Sequence, residues 1–277
     1  MRKYLQSLFI LSLAVLTSVF IPSSAFADQT GTLLPISDGL YTDWTPKSGS
    51  THYTMVDEET CNGTTDFVRT SRVGERDSYG IDLSSIPNGA TISQIDITPC
   101  ASRAGGGTGG TVVLDLFYRL NGVDSADAGG YNPLGATPVL LSTTSFTGLS
   151  TVKSSSSSLE IGAVLNANSG KTIRLGQLST VITYTPLLAP SNLTASESAV
   201  GSSSAALLQW TDNASNELGF KIERSTDSAN FSLIDTVGVN QTSYYDFPGV
   251  GTFYYRVKSY NSGADSTYTN TASVTLP

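Results

Sequence analysis

The stretch that decides the fold runs from residue 208 to residue 225 and reads LQWTDNASNELGFKIERS. Near its end, Phe220 and Ile222 alternate with charged residues, which predicts a β-strand with one face toward a core and one toward water. The polar residues before Gly219 are typical of a connection between strands. Trp210 lies on the preceding strand, and we interpret its ring as part of the core.

The same kind of pattern continues on both sides of this stretch, from about residue 188 to the end of the chain. Turn residues recur at the spacing expected of a seven-stranded sandwich. The region resembles the fibronectin type III family, in the version found in bacterial exported proteins. The matching segments are residues 208–213 (LQWTDN), 216–225 (NELGFKIERS), 242–246 (TSYYD) and 253–257 (FYYRV). The resemblance implies an immunoglobulin-like β-sandwich over residues 188–277.

Two positions in this region depart from patterns known in the family. Phe253 stands where the family often keeps a corner tyrosine, so the hydroxyl bond of that tyrosine is expected to be missing. Residues 261–266 read NSGADS where the integrin-binding animal modules display Arg-Gly-Asp. The resemblance therefore implies a spacer or presentation domain and gives no support to integrin binding.

The boundary between two domains is expected near Leu187, where YTP closes one strand-rich region and LAPSNL opens the next. The linker is very short, which predicts a fairly stiff tandem. Residues 28–187 also have the pattern of strands throughout. They loosely resemble the jelly-roll-type sandwich domains of bacterial exported and phage structural proteins. The segments that carry this likeness are Asp38-Gly39, Trp44, 52–58, 65–68 and 174–186.

The first 27 residues have the features of a signal peptide. Arg2 and Lys3 precede an apolar run, and Ala25-Phe26-Ala27 offers small residues for cleavage. The run is too short for a membrane anchor, which needs about 20 apolar residues. We expect cleavage after Ala27 and an extracellular or cell-surface protein without membrane insertion.

The composition agrees with an exported all-β protein. Loss of Arg2 and Lys3 leaves 13 of the 15 basic residues against 23 acidic ones, a net charge of −10. Lys and Arg do not cluster, which disfavours nucleic acid as a partner. No motif for a cofactor is found. A Gly-rich segment at residues 105–110 leads into a strand rather than a helix, so we interpret it as a hairpin connection and not as a phosphate loop.

The two cysteines, Cys61 and Cys100, both lie in the first domain. In an exported chain they predict one disulfide. The alternatives are two free buried thiols and metal ligation, although a thiolate metal site normally draws on more Cys and His than this chain has.

Catalytic motifs are scarce, and we expect no enzyme. The Gly-x-Ser-x-Gly elbow is absent, and a Ser-His-Asp arrangement would depend on His52, which we interpret as a surface or turn residue. Asp57, Glu58 and Glu59, with Asp66 nearby, are interpreted as a solvated acidic loop. The alternatives are a weak calcium site at Asp57, Glu58 and Asp66 or a glycosidase carboxylate pair.

Two classes of function remain open. The first is a structural or display protein of the cell surface or extracellular matrix. The second is an adhesion module that binds polysaccharide or surface proteins through loops of the first domain. Tyr41, Trp44 and Tyr53 are the candidate ligand contacts, because sugar rings stack on aromatic faces. For Trp44, a partly buried place in the sandwich is the competing interpretation.

Overall fold

The computed structural model describes residues 26–61, 64–104, 111–132, 135–201 and 203–277. Over these residues the chain is built of antiparallel sheets that form sandwich domains, which confirms the predicted all-β fold class. The expected signal peptide lies outside the described residues apart from Phe26 and Ala27, and the Gly-rich segment 105–110 lies outside them entirely. No helix in the described ranges has the length and hydropathy that crossing a bilayer requires.

Thirteen of the described strands precede residue 187. They are β1 (Asp28–Gln29), β2 (Pro35–Thr42), β3 (Thr45–Pro46), β4 (Val68–Thr70), β5 (Arg76–Ile81), β6 (Thr91–Ala104), β7 (Val112–Leu120), β8 (Val123–Asp124), β9 (Ala128–Tyr131), β10 (Val139–Leu140), β11 (Thr144–Val152), β12 (Leu159–Asn168) and β13 (Thr172–Thr185). A short 3-10 turn, Tyr53–Met55, lies between β3 and β4.

These strands form two sheets. The seven-stranded sheet has the order β10-β6-β13-β4-β3, with β1 also paired to β13 and β11 to β6. The six-stranded sheet has the order β2-β5-β12-β7-β8, with β9 paired to β7. The long strands β6 and β13 pair over most of their length and form the centre of the first sheet.

The core between the two sheets follows from the alternation of their strands. Ile95 and Ile97 of β6 are fully buried against Leu114 and Leu116 of β7 in one apolar cluster. The residues between them on β6 point to the opposite, outer face, as the two-residue period of a strand requires. This outer face of the seven-stranded sheet carries the candidate site described below.

The disulfide predicted from the sequence is present. Cys61 is bonded to Cys100, which lies 39 positions further along the chain, and their Cα atoms are 5.4 Å apart. The bond fastens the segment after the 3-10 turn to the outer face of β6. Because such bonds persist in oxidising compartments, it hints at an extracytoplasmic protein.

Seven strands follow residue 187. They are β14 (Ser191–Val200), β15 (Ser203–Thr211), β16 (Gly219–Ser225), β17 (Ser232–Gly238), β18 (Ser243–Asp246), β19 (Gly251–Tyr260) and β20 (Ala272–Leu276). One sheet has the order β14-β15-β18 and the other β17-β16-β19-β20.

The decisive alternation is observed in β16. Phe220 and Ile222 are fully buried in a core that also contains Trp210. Glu223, which the sequence places toward water, is only 8% exposed, so that expectation is wrong. Arg256 and Tyr268 cover it, through contacts of 2.6 Å and 2.8 Å with its carboxylate oxygens. Burial alone would raise the pKa of Glu223, but the hydrogen bonds from Tyr268 and Arg256 hold it below its ordinary value.

A different tyrosine supplies a hydroxyl bond near the corner where Phe253 is found. Phe253 is buried, while the hydroxyl of Tyr255 donates to Oδ2 of Asp246 over 2.9 Å. Arg224 binds the same oxygen at 2.7 Å. Burial and the bond to Asp246 raise the pKa of Tyr255 well above its ordinary value. The strand carrying Asp246 is thereby tied to β16 and β19.

The two domains meet at a junction built on two asparagines. Nδ2 of Asn216 lies 3.2 Å from the carbonyl oxygen of Gly89, 3.0 Å from Oγ1 of Thr91 and 3.0 Å from the carbonyl oxygen of Thr185. Nδ2 of Asn261 donates to the same carbonyl of Gly89 over 2.8 Å. These contacts join loops of the second domain to the first and agree with a stiff tandem.

Gly263 gives the first test of that junction. A Cβ at this position would lie 2.3 Å from the carbonyl oxygen of Lys153 in the first domain. We expect Gly263→Val to push the domains apart and to broaden the interatomic distance distribution in small-angle X-ray scattering. Gly238→Val is the matched control, because a Cβ there meets no atom within 4 Å. Superimposable scattering curves for the two variants would contradict this account of the junction.

Candidate functional site

The structure does not bring the three predicted aromatic contacts together on an exposed face. Trp44 is only 2% exposed, and its Nε1 donates to the carbonyl oxygen of Glu75, so it is a core residue rather than a ligand contact. Tyr53 is half-buried and packs against the same core. The segment that contains Tyr41 and Trp44 was expected to be a loop, but Tyr41 lies on the strand β2.

Tyr41, at the end of β2, is also engaged within the protein. Its hydroxyl donates to Oδ2 of Asp124 over 2.6 Å, and its ring meets Phe117 edge-on with centroids 5.7 Å apart. The guanidinium of Arg76 lies over the ring. The hydrogen bond to Asp124 is the largest of the effects that raise the pKa of Tyr41. A stacked sugar would have to compete with these contacts.

The weak calcium candidates do not form a ligand set. Asp57, Glu58 and Asp66 are not part of any group of three or more His, Cys, Asp or Glu side chains arranged for a metal within the described residues. Burial is the main cause that raises the pKa of Glu58, and the charges of Asp57 and Asp66 add to it.

His52 corrects the sequence interpretation most strongly. It is 7% exposed rather than at the surface, and its Nδ1 lies 2.9 Å and 3.0 Å from the carboxylate oxygens of the fully buried Asp77. The hydroxyl of Tyr79 donates to Asp77 over 2.9 Å. The backbone N–H groups of His52 and Tyr53 donate to Oδ1 of Asp38 over 2.8 Å and 2.7 Å. His52, Asp77 and Tyr79 thus form a buried polar network, and the exposed Asp38 ties β2 to the start of the 3-10 turn.

This network predicts a pH dependence of stability. Burial raises the pKa of Asp77 from 3.8 to about 6, against the opposing hydrogen bonds of His52 and Tyr79. The folded state therefore keeps a proton that the unfolded chain releases, and this contribution to stability is lost as pH rises from about 4 to about 6. The loss amounts to up to about 3 kcal/mol.

Asp77→Asn should remove the decline in the free energy of unfolding between about pH 4 and pH 6. The measurement is the free energy of unfolding in urea at pH 4.5 and pH 7, compared between the variant and the unchanged protein. Asp82→Asn is the control, because Asp82 is exposed and its hydrogen bonds within the described part of the chain go to Ser84, so the decline should persist. An undiminished decline in Asp77→Asn would contradict the assignment.

A groove of about 620 Å³ lies on the outer face of the seven-stranded sheet. Its floor is formed by outward-facing side chains of β6 and β13, two strands that pair directly. The cross-strand pairs beneath it are Asp96 with Val181, Thr98 with Ser179, and Cys100 with Gln177. Because these positions alternate with buried core residues, their side chains stand on the outside of the sheet.

Two short segments beside the floor also line the groove. Residues 59–61 lie outside the strands, and the disulfide to Cys100 fastens them to β6. Leu140 and Thr143 belong to the chain that pairs with β6 through β10 and β11. Paired strands and a covalent bond thus hold the groove, which favours a preformed site.

Some polar side chains of the groove already have hydrogen-bond partners within the protein, and one buried acceptor has none. Oγ1 atoms of Thr98 and Thr143 are 2.7 Å apart, so these two hydroxyls already share a hydrogen bond. The carboxylate of Asp96 accepts from Nε2 of Gln94 at 2.8 Å and 2.9 Å. Gln177 is 5% exposed, and its Oε1 has no hydrogen-bond partner within the described chain. A buried acceptor without a hydrogen bond lowers the stability of the protein. A ligand donor that enters the groove and bonds to Gln177 would remove this cost.

No family model matches the sequence, and no curated protein matches it. Among solved structures, an Fn3-like protein from Clostridium thermocellum is 24% identical over 33% of this chain and 94% of its own, with a TM-score of 0.28. A segment of two fibronectin type III domains from chicken tenascin is 12% identical over 76% of this chain and 98% of its own, with a TM-score of 0.31.

A third similar structure is the CBM36-1 domain of a multidomain xylanase from the hindgut metagenome of Trinervitermes trinervoides. It is 9% identical over 56% of this chain and 96% of its own, with a TM-score of 0.29. The structural neighbours thus include Fn3-like domains that each cover about a third of the chain.

Proposed function

We propose that this chain is a non-enzymatic binding module of the cell surface or extracellular space, whose first domain holds a saccharide in the groove of its seven-stranded sheet. The observation that carries the proposal is the groove itself, a preformed cleft of about 620 Å³ floored by β6 and β13 and lined by both polar and apolar side chains. Its volume lies in the range of roughly 300–1,000 Å³ that small-ligand sites occupy.

The chemistry of the groove suits a polyhydroxylated ligand. Hydroxyls of Thr98, Thr143 and Ser179 can each donate and accept, as sugar hydroxyls can. Among the described residues, none that lines the groove has an aromatic ring on which a sugar would stack. Binding of one copy should therefore be weak, and several copies on a surface would raise the avidity.

The second domain is proposed to act as a spacer that presents the first. Its aromatic core residues, such as Trp210 and Phe220, are buried and so are not free for a ligand. The junction at Asn216 and Asn261 holds it against the first domain. A stiff spacer keeps the groove at a fixed distance from whatever holds the far end of the chain.

A structural or display role has its own supporting observation. Ile36 and Leu40 lie on β2, an edge strand of the six-stranded sheet, and are 57% and 58% exposed. Exposed apolar edge strands are sites where another chain can pair. Such assembly would use the sheet opposite the groove and is compatible with binding.

The test of binding is retention of the full mature chain on a panel of insoluble polysaccharides. Thr98→Met/Thr143→Met fills the groove without adding a charge or a ring, and we expect it to abolish retention. Thr252→Met/Thr275→Met is the matched control, since these threonines form a similar cross-strand pair, with Oγ1 atoms 2.9 Å apart, on the second domain. Equal retention of both variants, or no retention of the unchanged protein, would reject the groove as the binding site.

A further inference from the structure

The groove is rich in hydrogen-bond acceptors and lacks cationic donors. Two carboxylates line it, those of Asp96 and Glu59, and neither Lys, Arg nor His lines it among the described residues. Ionised carboxylates only accept hydrogen bonds, and the unpartnered Oε1 of Gln177 is a further acceptor. An anionic ligand group would therefore meet no cationic side chain among these lining residues, whereas a cationic donor would meet two carboxylates.

We infer that the groove recognises a polysaccharide that bears free primary amines, and that it rejects polysaccharides bearing carboxylate or sulfate groups. The inference rests on the proposed saccharide-binding function and names the ligand class of the same site. An ammonium group supplies three donors and a positive charge. Charge-assisted hydrogen bonds to carboxylates are stronger than bonds between neutral groups.

Asp96 is the residue placed best to hold such a group. It lies on β6 between two hydrogen-bonded neighbours, opposite Val181 of β13 and Ser145 of β11, so its backbone is fixed on both sides. Nε2 of Gln94 orients its carboxylate and leaves other lone pairs free. The group that binds the amine is thus held in place before the ligand arrives, which lowers the cost of binding.

Gln177 is an observation independent of the acidic residues. The side chain lines the groove but is more than nine-tenths buried, and its orphaned Oε1 has no donor among the described residues. We expect an N–H or O–H group bound in the groove to satisfy this acceptor. Anionic groups offer no such donor and would also face the charge of Asp96 and Glu59.

The experiment is isothermal titration of the full mature chain with three soluble hexamers at one low ionic strength. The probes are a glucosamine hexamer, its fully N-acetylated counterpart and a galacturonate hexamer. We expect the glucosamine hexamer to bind at least tenfold more tightly than the acetylated one, and the galacturonate hexamer to give no heat of binding. Equal affinity for the first two, or a preference for galacturonate, would overturn the inference and leave the proposed function standing.

Variants separate a specific site from general attraction between opposite charges. Asp96→Asn and Glu59→Gln should each reduce the preference for the amine by several-fold. Glu197→Gln removes one negative charge from an exposed strand of the second domain and should leave the preference unchanged. An equal loss in Glu59→Gln and Glu197→Gln would overturn the inference, because it would show attraction by net charge alone.

Discussion

Trp210→Ala is expected to lower the free energy of unfolding of the second domain by roughly 3–5 kcal/mol, the range for loss of a buried large aromatic. Trp210 is 5% exposed, and its ring lies 5.6 Å from that of Phe220 at the centre of the core between the two sheets. The indole N–H has no partner among the described residues, so the change removes packing and no hydrogen bond.

Hydrogen exchange of the full mature chain, followed by mass spectrometry, gives the local stability of each domain. Peptides from β16 and β19 should exchange faster in the variant. Trp44 remains as the one other tryptophan, and its fluorescence reports the first domain, whose unfolding transition should not move. Tyr245→Ala is the control, because Tyr245 is 47% exposed and should change stability by less than about 0.5 kcal/mol. Similar exchange in both variants would contradict the assignment of Trp210 to the core.

Cys61→Ala/Cys100→Ala is expected to cost about 4 kcal/mol of stability in the first domain. The bond closes a loop across 39 positions, and removing it restores the conformational entropy of that loop to the unfolded chain. Alanine is chosen because Cys100 is fully buried and a serine hydroxyl would add a second cost.

Urea unfolding followed by tryptophan fluorescence measures this loss, with Trp210→Phe introduced into both proteins so that the signal comes from Trp44. Reduction of the unchanged protein should produce a similar shift of the transition, while addition of reductant to the double variant should produce none. An unchanged transition in the variant, or peptide mapping without reduction that recovers both cysteines as free thiols, would contradict the bond.

Local pattern was sufficient where a strand has one buried face. The alternation of Phe220 and Ile222 with charged residues was enough to predict their strand. The first residues predicted export, and export made a disulfide between Cys61 and Cys100 the simplest expectation. The strand could be predicted from its own sequence, and the disulfide could be predicted because the chain has only two cysteines. The resemblance of residues 188–277 added the connectivity of the second domain.

The buried network of His52 could not be predicted in this way. Its partner, Asp77, lies 25 positions away on β5; β2 pairs with β5, and Asp38 of β2 holds the backbone of His52 beside that strand. The same applies to the groove, because Asp96 and Gln177 reach the same face of one sheet only through the pairing of β6 with β13. Alternation shows that such residues face outward, but not that segments beside them will also line the groove.

Trp44 shows a second limit of sequence interpretation. An aromatic residue flanked by Gly and Asp has the pattern of an exposed loop, yet the indole N–H of Trp44 donates to the carbonyl oxygen of Glu75, 31 positions away. That acceptor is supplied by the fold and not by the flanking residues, so the flanking residues did not predict the burial of this ring.

The most direct test of the account is a titration of the ¹⁵N-labelled full mature chain with the glucosamine hexamer, followed by amide chemical shifts. We predict shifts confined to the groove, at residues 59–61, 94–98 and 177–181, with the amides of β14 to β20 unchanged. Shifts centred on the second domain or on the opposite, six-stranded sheet, or no shifts at millimolar hexamer, would contradict the central claim that the outer face of the seven-stranded sheet is a binding site.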